Sequence, residues 1–189
     1  MQASAIESLL TRHSMGIKHL SEPGPTPEQL DEMVAAAMRA PDHAGLVPWR
    51  LCAVQGSARE HLAELFVAHA SRKHKSPQDQ MLERERALKA PLTVAVIARI
   101  DLGHPLVPAH EQWMAVGGAV TNFLNAAHAL GYAAKMLSGD KARAMPIAQA
   151  FCSAGETLVG WIAVGTPTKA LSERPRQSVS DVLQHWPAV

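Results

Sequence analysis

The sequence predicts an α+β fold, and three observations carry that expectation. Segments of helical and strand periodicity follow one another without regular alternation, Leu92 to Ile100 is a β-branched run, and the helix-start signals are plain. A doubly wound sheet would need strand and helix to alternate, which they do not. Ile6, Leu9 and Leu10 form a short helical stripe, and Glu22-Pro23-Gly24-Pro25 cannot continue a helix. Thr26-Pro27-Glu28-Gln29 then offers an N-cap hydroxyl, a proline at the first helical position and a glutamine at the capping-box position. These signals predict a helix from Pro27 to about Arg39 that buries Leu30, Met33, Val34, Ala37 and Met38 and is ended by Pro41.

Trp49 to Val54 reads as a strand ending at Gly56, with Trp49 as a core anchor. Ser57-Ala58-Arg59-Glu60 reads as a second capping box, opening a helix with Leu62, Leu65 and Phe66 on its buried face. The polar, charge-mixed stretch from Ser71 to Lys89 reads as a loop and a surface helix beginning at Ser76-Pro77. Leu92 to Ile100 alternates little, so it is placed as a central strand covered on both faces. A long helix from about Ala109 to Leu130 should end at Gly131, a residue suited to a left-handed C-cap. Gly117-Gly118 within it costs of order 1 kcal/mol per glycine against alanine, which points to close approach of another backbone, a dimer interface being one case. Tyr132 to Leu137 reads as a strand, Pro146 to Phe151 as a helix and Thr157 to Gly165 as a buried strand. The tail from Thr166 to Val189 is interrupted by Pro167, Pro175 and Pro187, and Val179 to Leu183 reads as a strand or a turn of helix.

A chain of 189 residues suits one domain spanning 1–189, with a core of useful size. Its 18 Lys+Arg against 17 Asp+Glu give +1, so no strong field favours nucleic acid or an anionic membrane. Cys52 and Cys152 share no motif spacing and read as buried free thiols of a reducing compartment. No basic-then-apolar leader is read at the start, and the apolar runs fall short of the roughly 18 residues of a membrane span, so the expected location is the cytoplasm.

Several chemistries lack their residues. Val116-Gly117-Gly118-Ala119 has neither the spacing nor the preceding strand of a dinucleotide fingerprint, and no phosphate loop with its lysine occurs. No Gly-x-Ser-x-Gly elbow supplies a nucleophile. The ten histidines include no helical pair three or four apart with a carboxylate, so no metal site is expected. What remains is an anion-plus-ring site. Arg12-His13-Ser14, at the end of the first helix pattern, offers guanidinium, imidazole and hydroxyl donors suited to phosphate or an anionic ring edge, although Arg12 taken singly reads more readily as a cation on a helix C-terminus. Arg39 and His43 bracket Ala40-Pro41-Asp42, whose proline would aim both side chains at one spot.

Arg12-His13-Ser14, then Ala40-Pro41-Asp42-His43 with Pro48-Trp49, then Pro175-Arg176 followed by Val179 to Leu183 and Trp186, together resemble the FMN-dependent nitroreductase family. The similarity is greatest to its small bacterial branch with an Ala-Pro-Asp-His turn. The resemblance implies a largely antiparallel, mixed sheet flanked by helices, a homodimer, and a tail (166–189) that crosses to the partner subunit. It implies FMN in the dimer interface, held by Arg12, His13, Ser14, Arg39, His43 and Arg176, with Arg174 assisting at the phosphate. Met136 and Leu137 would form an apolar wall for the ring, and the amides of Ser138 and Gly139 would face its reactive edge. Where many relatives carry a basic residue this chain has Gly16, leaving Lys18 or His19 to serve. The implied activity is ping-pong electron transfer from NAD(P)H to nitroaromatic, quinone or related small-molecule acceptors, with no catalytic side chain required. A flavin-binding sensor or storage protein without turnover, and a specialised flavin dehydrogenase or dehalogenase, are the alternatives.

Overall fold

The computed structural model describes residues 4–170 and 177–186. Among them are six α-helices: α1 (Ala5–Thr11), α2 (Pro27–Ala37), α3 (Ala58–Arg72), α4 (Pro77–Lys89), α5 (Ala109–Ala129) and α6 (Met145–Phe151). Five strands accompany them: β1 (Leu20–Ser21), β2 (Trp49–Gln55), β3 (Leu92–Ala98), β4 (Ala133–Leu137) and β5 (Thr157–Pro167). The strands pair in the order β2-β3-β5-β4, and β1 joins the far end of β5 at Pro167. Every pairing among the described residues is antiparallel.

Strand alternation sorts side chains into two apolar layers. Leu92, Val94, Val96 and Ala98 of β3 and Ile162 and Val164 of β5 face α2 and α5, where Met33, Ala37, Val116 and Phe123 complete the first core. Ala95, Ile97 and Trp161 face the other way, against Leu62, Phe66, Ala87 and Ile147 of α3, α4 and α6. All of β3 is buried, as expected of a strand covered on both faces. Trp49 is buried in the first core.

Local signals explain the element ends. Thr26 accepts from the Gln29 N–H and the Gln29 side chain accepts from the Thr26 N–H, closing the capping box at α2. Gly131 at φ +86 ends α5 in a Schellman turn, with Tyr132 N–H on the Ala127 carbonyl and Gly131 N–H on the His128 carbonyl. This turn delivers the chain directly into β4. Gly118 explains its own presence: a Cβ there would lie 3.1 Å from the Ala40 Cβ, so α5 approaches the end of α2 within the chain. Cys52 and Cys152 are free and partly buried. Glu156 accepts from Arg50 Nε and Nη2 (2.8 and 2.6 Å) and from Arg99 Nε (2.8 Å). That fork ties β2, the end of β3 and the start of β5 together.

Two expectations need correction. Met38 is 63 % exposed, because α2 stops at Ala37 and the chain turns before Met38 can face the core. Ser57 makes no side-chain cap; Gly56 at φ +57 turns the chain so tightly that Ser57 is already helical, and Glu60 pairs with Arg84 instead. The surface helix expected from Ser76-Pro77 is α4, which is N-capped by Ser76 and turns only Glu83 and Ala87 into the interior, while the loop before it is shortened to residues 73–76 because α3 runs on to Arg72. The stripe Ile6, Leu9 and Leu10 is helical, as expected, and lies exposed on α1. Val179–Asp181 forms a turn of 3-10 helix, one of the two forms expected.

Gly160 decides how β4 sits on β5. Its φ is +152, and a Cβ would lie 2.1 Å from the Leu137 carbonyl oxygen. We predict that Gly160→Ala costs about 3 kcal/mol or more, read by urea unfolding, through strain plus backbone collision. An unchanged midpoint would mean that β4 does not depend on this approach.

Candidate functional site

The N-terminal block lies against the start of β4. Arg12 caps α1, its N–H donating to the Ser8 carbonyl, and Met15 N–H donates to the Ala134 carbonyl at 3.2 Å, binding this segment to the strand. His13 Nδ1 is 3.2 Å from the Thr11 carbonyl, which can only accept, so Nδ1 carries the hydrogen. Thr11 Oγ1 donates to the Glu7 carbonyl at 2.8 Å and therefore accepts from His128 Nε2 at 3.2 Å. Arg12, His13, His128, Tyr132 and Pro167 are among the residues lining a cavity of about 200 Å³. Burial, then the charges of Arg12 and His13, lower the His128 pKa, so this imidazole is neutral at pH 7. Ser14 is exposed on the same loop.

His128 was not singled out in the sequence. Its position three residues before the Gly131 cap, in the last turn of α5, was the available signal.

The Ala40-Pro41-Asp42-His43 turn does not aim Arg39 and His43 at one spot within the chain. His43 Nδ1 donates to Glu111 Oε2 at 2.6 Å, in the first turn of α5. Arg39 lines a groove of about 790 Å³ with Thr11, Asn122, Asn125 and His128, towards the other end of that helix. Glu111 and Asn125 are 14 residues apart, about 21 Å along the axis. The cause is the loop: Asp42 accepts from the Val47 N–H at 2.6 Å, and Ala44, Gly45 and Val47 have φ +63, +64 and +47. The chain therefore reverses immediately after the proline. Arg12 and Arg39 lie on either side of His128, and His43 is not with them. Arg176 and Arg174 lie outside the described residues.

At the other end of β4, the expected Met136-Leu137 wall is split by strand alternation. Met136 packs into the core on the α2/α5 side, whereas Leu137 and Lys135 face the opposite way. Leu137 and Ser138 line a cavity of about 290 Å³ with Thr93, Trp161, Lys141 and Arg86. Ile17, Arg86 and Leu137 are shared with an adjoining groove of about 420 Å³ that carries Lys18, Lys89 and Lys135. Lys18 thus faces this groove, while the His19 carbonyl is taken up by Thr168.

The Trp161 indole N–H is buried in the cavity wall with no hydrogen-bond partner among the described residues. An unmade bond of this kind costs roughly 1 to 3 kcal/mol. Trp161 is held edge-on by Phe66, with ring centroids 5.2 Å apart, and Lys141 Nζ lies 4.3 Å from the Phe66 centroid.

Residues 138–141 are fixed from below. Gly139 has φ +116, where a side chain would be strained. Asp140 Oδ2 accepts from the buried His69 Nε2 at 2.9 Å, and this bond, with Lys73 nearby, holds the carboxyl below its usual range. Lys141 Nζ donates to Glu83 Oε2 at 2.5 Å.

The model of the nitroreductase family matches residues 9–166. The chain belongs to the nitroreductase family. It is 34% identical over 164 residues to the Escherichia coli (strain K12) protein named "Putative NAD(P)H nitroreductase YdjA", covering 86% of this chain and 88% of that one. A protein of the same description from Haemophilus influenzae is 31% identical over 163 residues, with the same coverage. Among solved structures, a nitroreductase-like family protein from Bacillus cereus superposes with TM-score 0.85 at 18% identity, covering 100% of this chain and 98% of that one. NfnB from a Sphigopyxis strain, described as an FMN and NADPH-dependent nitroreductase, superposes with TM-score 0.76 at 15% identity, covering 98% and 100%. The family's α+β fold, with an antiparallel sheet and flanking helices, is the one seen here. No helix among the described residues is long and apolar enough to cross a membrane.

Because Arg12 is one of the charges that depress His128, Arg12→Ala should raise the His128 pKa part of the way towards its ordinary value, burial retaining the rest. Imidazole NMR titration of both proteins reads this directly. A pKa that stays or falls would place the guanidinium outside the cavity.

Proposed function

We propose that the protein is an FMN-dependent oxidoreductase that takes electrons from NAD(P)H and passes them, by alternating half-reactions, to nitroaromatic, quinone or related acceptors. The observation that carries this reading is the cavity at the end of β4. Its wall holds Trp161, whose buried indole N–H has no partner among the described residues, together with Thr93 and the cations Arg86 and Lys141 beside apolar side chains, a set suited to a planar ring rich in acceptor atoms. Arg12 and His13 stand at the other end of β4, four residues and about 13 Å away, with donors suited to a phosphate. The family and the names of the relatives agree with this chemistry.

In this reading Arg12, His13 and Ser14 bind the phosphate end, with Arg176 of the tail. Leu137, Ser138 and Gly139 support the ring, Leu137 as an apolar contact and the two amides as donors. Met136 acts from behind, by packing β4 onto the core. FMN, when bound, supplies the two-electron chemistry, so the protein needs no nucleophile or general acid of its own. Its residues bind and orient the ring, keep water from its inner face, and surround it with positive charge.

Arg39 and His43 are assigned to the flavin of a partner subunit. A homodimer is further supported by the exposed apolar face of α5 and its entry loop, where Leu102, Leu106 and Met114 are 84, 74 and 72 % exposed and Trp113 41 %. Trp186 and Val182 of the tail are exposed to a similar degree, as a segment that lies on a partner would be. The chain is read as one domain acting in the cytoplasm.

Purified protein should be yellow, should be bleached by NADPH or NADH under nitrogen, and should regain colour with a nitroaromatic or quinone. Flavin that resists both nicotinamides would make it a binding protein without turnover. Arg12→Ala should weaken FMN by at least about tenfold, or 1.4 kcal/mol, and Arg176→Ala should weaken FMN far more than riboflavin. Equal losses for the two ligands would mean that the tail only supports the fold. Light scattering should show a dimer, and a monomer that retains FMN would contradict the shared site.

A further inference from the structure

Three cations from separate stretches of chain converge on one buried carboxylate. Glu83, on the inward face of α4, is 5 % exposed. Its Oε1 accepts from Lys75 Nζ at 2.9 Å and Arg86 Nη1 at 3.4 Å, and its Oε2 from Lys141 Nζ at 2.5 Å. Burial alone would raise this carboxyl, but the hydrogen bonds from Lys141 and Lys75 outweigh it and bring the pKa to about 2. Glu83 is therefore an anion throughout the neutral range, and the cluster carries a net charge of +2.

The cluster has a direction. Arg86 and Lys141 line the cavity that holds the unpartnered Trp161 N–H, whereas Lys75 is half-exposed and does not line it. Glu83 touches both wall cations without lining the cavity itself. Such a buried ion cluster is a poor device for stability, because desolvation offsets most of the attraction. Its effect is electrostatic: it fixes one guanidinium and one ammonium group against the wall and cancels one of their charges.

We propose that Glu83 is a positioning residue which holds Arg86 and Lys141 at this cavity and sets how strongly the cavity favours negative charge on the ring it binds. The inference rests on the flavin reading above. It makes the net charge of the Glu83 cluster, acting through Arg86 and Lys141 at the cavity wall, the control of how easily that ring is reduced.

The test compares wild type, Glu83→Gln and Lys75→Met by FMN titration of the apo-protein, by the midpoint potential of the bound flavin, and by melting temperature. Glu83→Gln leaves +3 at the cluster and should increase the ratio of reduced to oxidised FMN affinity by about tenfold, a more positive potential. Lys75→Met leaves +1 without altering a cavity residue and should move the ratio several-fold the opposite way. Because Lys75 is half-exposed, this variant decides the sign even if Glu83→Gln folds poorly. Shifts in the same direction, or lower melting temperatures with unaltered potentials, would reduce Glu83 to a structural hub and overturn the proposal alone. A wild-type protein that binds no FMN would overturn it together with the flavin reading.

Discussion

Hydrogen bonding along both edges of β5 is the constraint from which the rest of this structure follows. β3 occupies one edge from Thr157 to Val164, and β4 occupies the other from Trp161 to Gly165. The strand bulges against β3 between Val96 and Ile97, next to Gly160, and the missing side chain at Gly160 admits the Leu137 carbonyl. β4 can then run its last residues across β5, which puts Leu137 beside Trp161 and brings Ser138 to the cavity. Gly131 feeds the strand from α5, so one left-handed turn and one bare position on β5 determine where the site opens.

The charges are arranged about the same strand. At its start lies the half-buried His128 imidazole, which burial first, and then the charges of Arg12 and His13, keep neutral. At its end, Lys141 and Arg86 are held by an ionised carboxylate beneath them, and Asp140 is held by His69. Residues 138–141 are thus anchored through consecutive side chains to α3 and α4, and this rigidity is what a pre-formed ring site requires. The pH dependence has a definite sign. Glu83 has a folded pKa depressed from 4.5 to about 2, so its contribution to stability is complete above pH 4.5 and is lost as pH falls towards 2.

What could be read in the sequence was what local rules control. Thr26-Pro27 at α2, Gly131 after α5 and the β-branched run of β3 each act within a few residues, and each lies where the pattern put it. The adjacency of Arg12, His13 and Ser14 could be read for the same reason, and the structure places Arg12 and His13 at one cavity. Met136 and Leu137 were grouped although period-two alternation sends them to opposite faces. Ser57 failed as a cap because the preceding Gly56 turn, not the serine, starts α3. Glu83, Lys141, Trp161 and His128 were invisible as site residues, since their partners lie far away in sequence, 58 residues for Lys141 and Glu83. The turn after Pro41 looked like a device for convergence, but the left-handed residues 44, 45 and 47 that reverse it have little local signature at alanine and valine.

The central claim is that the cavity at the end of β4, with its unpartnered indole, receives the flavin ring. The most direct measurement is the 1H–15N indole resonance of Trp161, assigned with Trp161→Phe and followed as FMN is added to the apo-protein. The account predicts a downfield shift of that proton, in proportion to FMN bound, as the N–H gains its missing acceptor. Saturation with FMN that leaves the Trp161 indole unmoved would place the ring elsewhere and contradict the account.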